Sequence, residues 1–306
     1  MSQILKRKCI VFSLGAQSLS DSLTSGLNAQ QGTFESRSFP DGETYLKLTT
    51  DVRGADCIVL MDLSRPNAKF LPLIFLTETF RELGAASVGL VAPYLCYMRQ
   101  DRRFTAGEAI TSKLFASTLS RYVDWLVTVD PHLHRYESLA EIYSIPSKVV
   151  QGAPALADWL KSQKSVLLVG PDAESEQWVS QIAAISRHPF VIGEKQRRGD
   201  RDVVIKLPAL ASAARQRVMI IDDVIASGYT ILQCLKALRL QGVASIGCAA
   251  VHGIFADGID SVLMQSGLAE LATTNTIKHS SNCIDISPLL IPAVTECLSK
   301  QEGLNA

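Results

Sequence analysis

The stretch Val218-Met219-Ile220-Ile221-Asp222-Asp223-Val224-Ile225-Ala226-Ser227-Gly228-Tyr229-Thr230 decides how the rest of the chain is read. Its four leading apolar residues show no alternation, the pattern of a strand buried on both faces of a parallel sheet. Two adjacent carboxylates follow at the carboxyl end, then small and hydroxylated residues, then the helical pattern ILQCLKALRL. A helix start presents unpaired backbone N–H groups and the positive end of the dipole, so a phosphate can bind there. Ser227 and Thr230 can add hydroxyl donors, and Asp222 and Asp223 can hold sugar hydroxyls or a magnesium ion. The same residues also read as a plain strand-to-helix turn in which the two aspartates cap the helix, because acids at strand ends are common in open α/β sheets.

Outward from this stretch, apolar runs and helical patterns alternate along the chain. KCIVFSLG (8–15), CIVLMDL (57–63), SVGLVAP (87–93) and WLVTVD (125–130) read as strands, with helical patterns at 66–83 and 109–122. The second half repeats the plan with SVLLVG (165–170), FVIGEK (190–195), VMIIDD (218–223), SIGCAAVHG (245–253) and LAELATTNT (268–276), and with helices near 173–185, 229–241 and 288–299. Such alternation predicts right-handed βαβ units around parallel sheets. SIPSKVVQGAP (144–154), with its prolines and glycine, is the expected junction between domains at 1–146 and 147–306; the C-terminal helix could pack back on the first. RSFPDGETYLKLTTDVRG (37–54) breaks the rhythm and predicts an antiparallel hairpin, or flap, on the first domain.

At 306 residues, 47% hydrophobic and 20% charged, the chain has the size and composition of an ordinary two-domain globular protein. Thirty basic and thirty acidic side chains cancel, so net charge points to neither nucleic acid nor a membrane surface, and an anionic substrate must be met by local basic clusters. No apolar run reaches membrane-spanning length, and MSQILKRKCIVFSLG reads as a short basic lead into a strand rather than a secretory signal. Cys9, Cys57, Cys96, Cys234, Cys248, Cys283 and Cys297 are scattered without CxxC spacing, as expected of reduced thiols in a cytoplasmic protein.

Five further clusters can carry chemistry. Asp130-Pro131-His132-Leu133-His134 leaves the strand WLVTVD, and an acid with a histidine at a strand tip can meet magnesium-bound phosphate; His132 is the candidate and His134 reads as a structural hydrogen-bonder. Tyr94-Leu95-Cys96-Tyr97-Met98-Arg99-Gln100-Asp101-Arg102-Arg103 follows SVGLVAP, and its arginines suit phosphate through paired charge-assisted hydrogen bonds, unless the run is only a solvated loop. Gly193-Glu194-Lys195-Gln196-Arg197-Arg198-Gly199-Asp200-Arg201 is either a mobile loop that closes over a reacting phosphate or an exposed hairpin turn. Asp172, in Val169-Gly170-Pro171-Asp172-Ala173-Glu174-Ser175, is a helix cap or a magnesium ligand. Phe39-Pro40-Asp41-Gly42-Glu43 offers an aromatic face and two acids to a purine base, or is simply a tight turn shaped by Pro40 and Gly42.

In their order along the chain, FPDGE (39–43), APYLCYMRQDRRF (92–104), VDPH (129–132), GPDAES (170–175), EKQRRGDR (194–201) and IIDDVIASGYT (220–230) resemble ribose-phosphate pyrophosphokinase, the phosphoribosyl diphosphate (PRPP) synthetase family, from about residue 8 to about residue 295; VHGIF (251–255) and TTNTI (273–277) match further strand ends. RRFTAGEAIT (102–111) is similar to the archaeal form, which implies weak or absent allosteric control. Type I phosphoribosyltransferases share only the loop at 222–230.

The resemblance implies an α/β fold of two tandem type I phosphoribosyltransferase-like domains with parallel sheets and a flap on the first, joined at an active site. It implies transfer of the pyrophosphoryl group of ATP to ribose 5-phosphate, with Mg²⁺ as cofactor, in a cytoplasmic homo-oligomer built from dimers. By the same resemblance His132 and Asp172 would hold the metal, and Lys195, Arg197 and His132 would be catalytic. Phe39, Asp41, Glu43, Arg99, Gln100 and Asp101 would bind ATP, and Asp222, Asp223, Ala226, Ser227, Gly228 and Thr230 would bind ribose 5-phosphate. The alternative within the family is a catalytically silent subunit that binds true synthetases. Tyr229 stands where members usually carry glycine, so the loop is expected to be strained there.

Overall fold

The unbroken apolar runs form the eight central strands of two all-parallel sheets, with short, partly exposed strands at the four edges. In the first, β1 (Cys9–Ser13) is flanked by β2 (Gln30–Gln31) and β5 (Asp56–Leu60), followed by β6 (Ser87–Ala92), β7 (Trp125–Val129) and β8 (Ser147–Val150), in the order β2-β1-β5-β6-β7-β8. Helices α1 (Gln17–Gly26), α2 (Phe70–Glu82) and α3 (Thr111–Leu119) make the crossovers, and β3 (Phe34–Ser38) with β4 (Thr44–Leu48) forms the antiparallel hairpin. The second sheet runs β10-β9-β13-β14-β15-β16. Its strands are β9 (Val166–Gly170), β10 (Phe190–Ile192), β13 (Arg217–Ile225), β14 (Ser245–Gly253), β15 (Glu270–Thr274) and β16 (Asn282–Ile284). Around them lie α4 (Ala153–Lys161), α5 (Glu176–Ser186), α6 (Tyr229–Leu240) and α7 (Ile259–Gln265), and a second hairpin, β11 (Glu194–Arg197) with β12 (Val203–Lys206). Helix α8 (Ser287–Leu304) ends the chain. This computed structural model describes residues 7–304 apart from 16, 134, 198–202 and 211–215.

The chain divides into two compact units, Met1–Gln151 with Ser287–Ala306, and Gly152–Ile286. The expected boundary at 146/147 is corrected to 151/152. Residues 147–150 are strand β8, paired with β7 from Leu126↔Ser147 to Val129↔Val150, and Pro146 hid it by looking like a linker. Helix α8 lies in the first unit: its buried face is Leu290, Val294, Cys297 and Leu298, Arg7 donates to the Gln301 carbonyl at 3.1 Å, and Lys148 pairs with Glu296 at 2.7 Å. At Gly26 a Cβ would lie 2.3 Å from the Ile291 side chain, so any larger residue on α1 would force Ile291 of α8 to shift. The flap spans 34–48 rather than 37–54, because Phe34, Leu46 and Leu48 anchor its base on the core while residues 49–54 lead back to β5. Among the described residues all seven cysteines are free thiols, six of them buried, and no helix is long and apolar enough to cross a membrane.

Candidate functional site

In the first unit the loops leaving β6 and β7 are stitched together at the carboxyl edge of the sheet, the usual ligand side of an open parallel sheet. The Asp101 carboxylate is buried and receives two bonds from the Arg135 guanidinium, at 2.7 and 2.9 Å. The Tyr136 hydroxyl donates to the Asp101 carbonyl at 3.1 Å and lies 3.0 Å from Ser112 Oγ, while Ser112 N–H donates to the Gln100 carbonyl at 3.3 Å. Arg99 is exposed and Gln100 half-buried at the rim. Between them and the strand, Tyr97 holds a left-handed φ of 60°, with its hydroxyl bonded to the Asn67 amide oxygen and its ring 4.9 Å from Phe115. Asp130 and His132 also carry positive φ, 33° and 55°, so the backbone after β7 is strained as well; non-glycine residues held this way cluster where a loop must aim particular groups.

The hairpin tip is Phe39–Glu43. Phe39 N–H donates to the Glu43 carbonyl at 2.7 Å, Glu43 N–H donates to Asp41 Oδ1 at 3.2 Å, and Gly42 takes the φ of 91° that the turn requires. The Arg37 guanidinium lies 4.8 Å from the Phe39 ring and 4.4 Å from Tyr45, a ledge that keeps the exposed phenyl upright.

In the second unit β13 runs on through the acids, which therefore stand on the last turns of the strand rather than after it. Asp222 and Asp223 form backbone-to-side-chain bonds within the pair and with Val224, at 3.0 and 2.7 Å. Burial, then the neighbouring Asp223 and then Asp172, push the Asp222 carboxyl well above the usual carboxylate range. Lys195, projecting from β11, donates to Asp172 Oδ2 at 3.2 Å. Asp172 also accepts from Ser175 N–H at 3.3 Å and so caps a short helical turn. Asp172, Lys195, Asp222 and Asp223 thus share one locus.

Immediately beyond, Ala226, Ser227, Gly228 and Thr230 lead into α6. Gly228 is the N-cap with φ 64°, a Cβ there would lie 2.3 Å from Ile259, and no side chain caps the helix. The N-cap position of α6 is thus Gly228 rather than either aspartate. The strained-loop expectation for Tyr229 is also corrected: the positive φ falls on Gly228, and Tyr229 is the first residue of α6, 39% exposed.

Asp101, expected at ATP, has a buried carboxylate paired with the Arg135 guanidinium. Residues 198–201, expected in the closing loop, and His134 lie outside the described residues, as does the side chain of Arg197. Sequence reasoning missed Arg135, the Asn67–Tyr97 pair, and the Asp62–Lys69 ion pair at 2.7 Å after β5. For Arg135 the signal was an arginine three residues beyond His132; for the others only tertiary contact reveals the partner.

Residues 9–122 match the N-terminal domain of ribose phosphate pyrophosphokinase, and residues 138–269 match the phosphoribosyl transferase domain. The ribose-phosphate pyrophosphokinase of Saccharolobus solfataricus is 32% identical over 276 residues, covering 88% of this chain and 94% of that one. That of Sulfurisphaera tokodaii is 31% identical over 264 residues, covering 84% and 89%. The crystal structure of phosphoribosylpyrophosphate synthetase from Mycobacterium smegmatis superposes with a TM-score of 0.80 at 21% identity, covering 96% of this chain and all of that one, which fixes the fold. With archaeal relatives of this identity spanning most of its length, and with both halves matched in sequence order, the chain belongs to the ribose-phosphate pyrophosphokinase family.

Proposed function

We propose that this protein transfers the pyrophosphoryl group of magnesium-bound ATP to the anomeric hydroxyl of ribose 5-phosphate, giving PRPP and AMP. The observation that carries the reading is the Asp172–Lys195–Asp222–Asp223 locus set against a helix start with no side-chain cap. A helix N-terminus of this kind accepts a phosphate through its N–H groups. Ser227 and Thr230 would add their hydroxyls there, and Gly228 and Ala226 leave room for backbone approach. Asp222 and Asp223 would accept hydrogen bonds from the ribose hydroxyls.

In the reaction the anomeric oxygen attacks the β-phosphorus in line, the α–β bridging bond breaks, and AMP departs with the bridging oxygen while the hydroxyl proton is released. Little covalent work falls to the protein, so positioning and neutralisation dominate. Lys195 would exchange the Asp172 carboxylate for the transferring phosphates, with Arg197 beside it on the same strand. Arg99 and Gln100 would grip ATP, and Phe39, Asp41 and Glu43 would hold its base.

Among the described residues no three acid, histidine or cysteine side chains converge on a metal position. Magnesium bound with a nucleotide takes one or two protein ligands and fills its octahedron with phosphate oxygens and water. The chain fits that pattern: Asp172 offers a carboxylate in a locus already crowded with negative charge, as the raised Asp222 carboxyl reports. Asp172 would hold the ion, which would supply neutralisation of the polyphosphate. We extend the reading to a cytoplasmic homo-oligomer built from dimers that serves nucleotide biosynthesis, with no nucleic-acid or membrane partner; the balanced charge and free thiols support it.

The test is AMP release with ATP, Mg²⁺ and ribose 5-phosphate. Equimolar AMP and PRPP are expected. No sugar-dependent AMP, or ADP in its place, would refute the reading.

A further inference from the structure

Within the second unit, the segment between β14 and α7 is fastened to the loop that opens α6. Ile254 N–H and Phe255 N–H both donate to the Ile225 carbonyl, at 3.0 and 3.1 Å, and Ala256 N–H donates to the Ala226 carbonyl at 2.9 Å. Ile259 closes the contact from the far end of the segment, standing where a Cβ on Gly228 would lie 2.3 Å from its side chain.

These bonds orient donors as well as carbonyls. A trans peptide group is planar, so its N–H points opposite to its C=O, and no cis bond occurs among the described residues. Turning the Ile225 and Ala226 carbonyls toward the segment therefore turns the Ala226 and Ser227 N–H groups to the opposite side. Among the described residues nothing accepts from the N–H groups of Ala226, Ser227 or Gly228, three consecutive donors at the start of α6. An anion at a helix start needs donors of this kind.

The segment is itself held in a costly conformation. Phe255, Asp257 and Gly258 have φ of 48°, 55° and 73°. Glycine accepts this freely, but a phenylalanine there is an outlier that persists only where its surroundings over-determine it. The surroundings are ring contacts. Phe255 is 5% exposed, its ring covers Gly253, where a Cβ would lie 2.3 Å away, and its centroid is 4.3 Å from that of His279. Ser281 N–H donates to His279 Nδ1 at 3.1 Å, so the ring proton sits on Nε2, which faces Asp260 Oδ2 at 3.4 Å on the first turn of α7. His279 thus ties Phe255 and α7 to the loop between β15 and β16.

We infer that Phe255 and His279 are positioning residues for ribose 5-phosphate: their packed rings hold residues 254–259 in place, and that segment aims the Ala226 and Ser227 N–H groups at the 5-phosphate. The inference rests on the reading of residues 222–230 as the sugar-phosphate site. Both rings act through the loop rather than on the substrate. A loop held ready binds its anion without first being ordered, because apparent affinity falls with the fraction of protein in the competent state.

The experiment is steady-state AMP release by the whole protein with Mg²⁺, varying ribose 5-phosphate and ATP separately, with melting temperatures measured alongside. His279→Ala, at a half-buried site, and Phe255→Leu, which keeps apolar bulk, should each raise the ribose 5-phosphate KM about three- to tenfold, the worth of an aromatic pair, with kcat and the ATP KM within about twofold. Leu263→Ala, which empties a buried position on α7 outside the ring contact, should lower the melting temperature without raising that KM. Unaltered protein that releases no sugar-dependent AMP would sink the proposed activity and this inference together. With active unaltered protein, an unchanged ribose 5-phosphate KM in either ring variant, an equal rise in the ATP KM, or the same rise in Leu263→Ala would overturn the inference alone.

Discussion

The strand orders β2-β1-β5-β6-β7-β8 and β10-β9-β13-β14-β15-β16 trace the same path, and each unit inserts its antiparallel hairpin at the same point, after the second strand. The same scaffold is furnished differently. The hairpin of the first unit ends in an aromatic residue and two acids, that of the second carries Lys195 and Arg197. At the third strand the contrast is sharper. Asp62, after β5, is ion-paired with Lys69 at 2.7 Å, and Lys69 also donates to the Asp62 carbonyl at 2.9 Å. After β13 two acids stand together, α6 opens on a bare glycine, and the nearby cation comes from the hairpin. On the proposed reading, the strand end left without a counter-charge from the very next helix is the one that binds. Where that helix supplies one, the same position becomes a structural joint.

Exchanging the cations breaks the comparison most severely. On the proposed role of its ammonium, acting on charge that develops in the transition state, Lys195→Ala should lower kcat by on the order of 10² or more with little change in KM. Lys69→Ala should leave kcat within a few-fold and lower the melting temperature by several degrees instead, because Asp62 is nearly buried and would lose its partner. Equal kinetic losses in both variants, measured by AMP release, would erase the distinction.

A smaller effect tests the excess negative charge itself. The Asp222 carboxyl is raised in the folded protein, chiefly by burial and then by Asp223 and Asp172. A raised acid binds its proton more tightly folded than unfolded, so its contribution to stability is full below the unfolded pKa and is lost as pH rises through the folded one. At pH 7 the ionised group is therefore a liability, and Asp222→Asn should raise the melting temperature by a few degrees at pH 7, less at pH 4, while abolishing turnover. A lower melting temperature at pH 7, read by calorimetry at both pH values, would show that the acid stabilises the fold.

The smallest effect is expected at Tyr229. Because the left-handed position is Gly228, Tyr229→Gly relieves no strain and should change the ribose 5-phosphate KM by less than about twofold, with at most about 1 kcal/mol lost from the helix start. A several-fold tighter KM would restore the strained-loop account.

Most of the scaffold was legible because buried parallel strands must be apolar throughout: Ile10–Phe12, Ile58–Leu60, Leu126–Val127 and Val218–Ile221 could hardly be read otherwise. Helix α1, QSLSDSLTSG, was lost because serine and threonine compete for backbone bonds and weaken the helical signal. β16 and β8 were lost because three or four residues carry too little pattern. In the site, the acids at 172, 222 and 223 were legible from their strand ends. What was not legible were the pairings that give a residue its role. Asp101 and Arg99 stand two apart in sequence, yet one is buried against Arg135 and the other exposed, and only the β7 loop decides which.

The return of α8 to the first unit sets the order in which the molecule can be finished on the ribosome. Domains usually fold as they emerge, the earlier one first. Here the surface around Gly26, Arg7 and Lys148 waits for Ile291, Gln301 and Glu296, which are made only after every residue of the second unit. The unit that begins the chain is therefore the last to be completed, and its uncovered apolar strip is the nascent chain's longest-lived liability to aggregation.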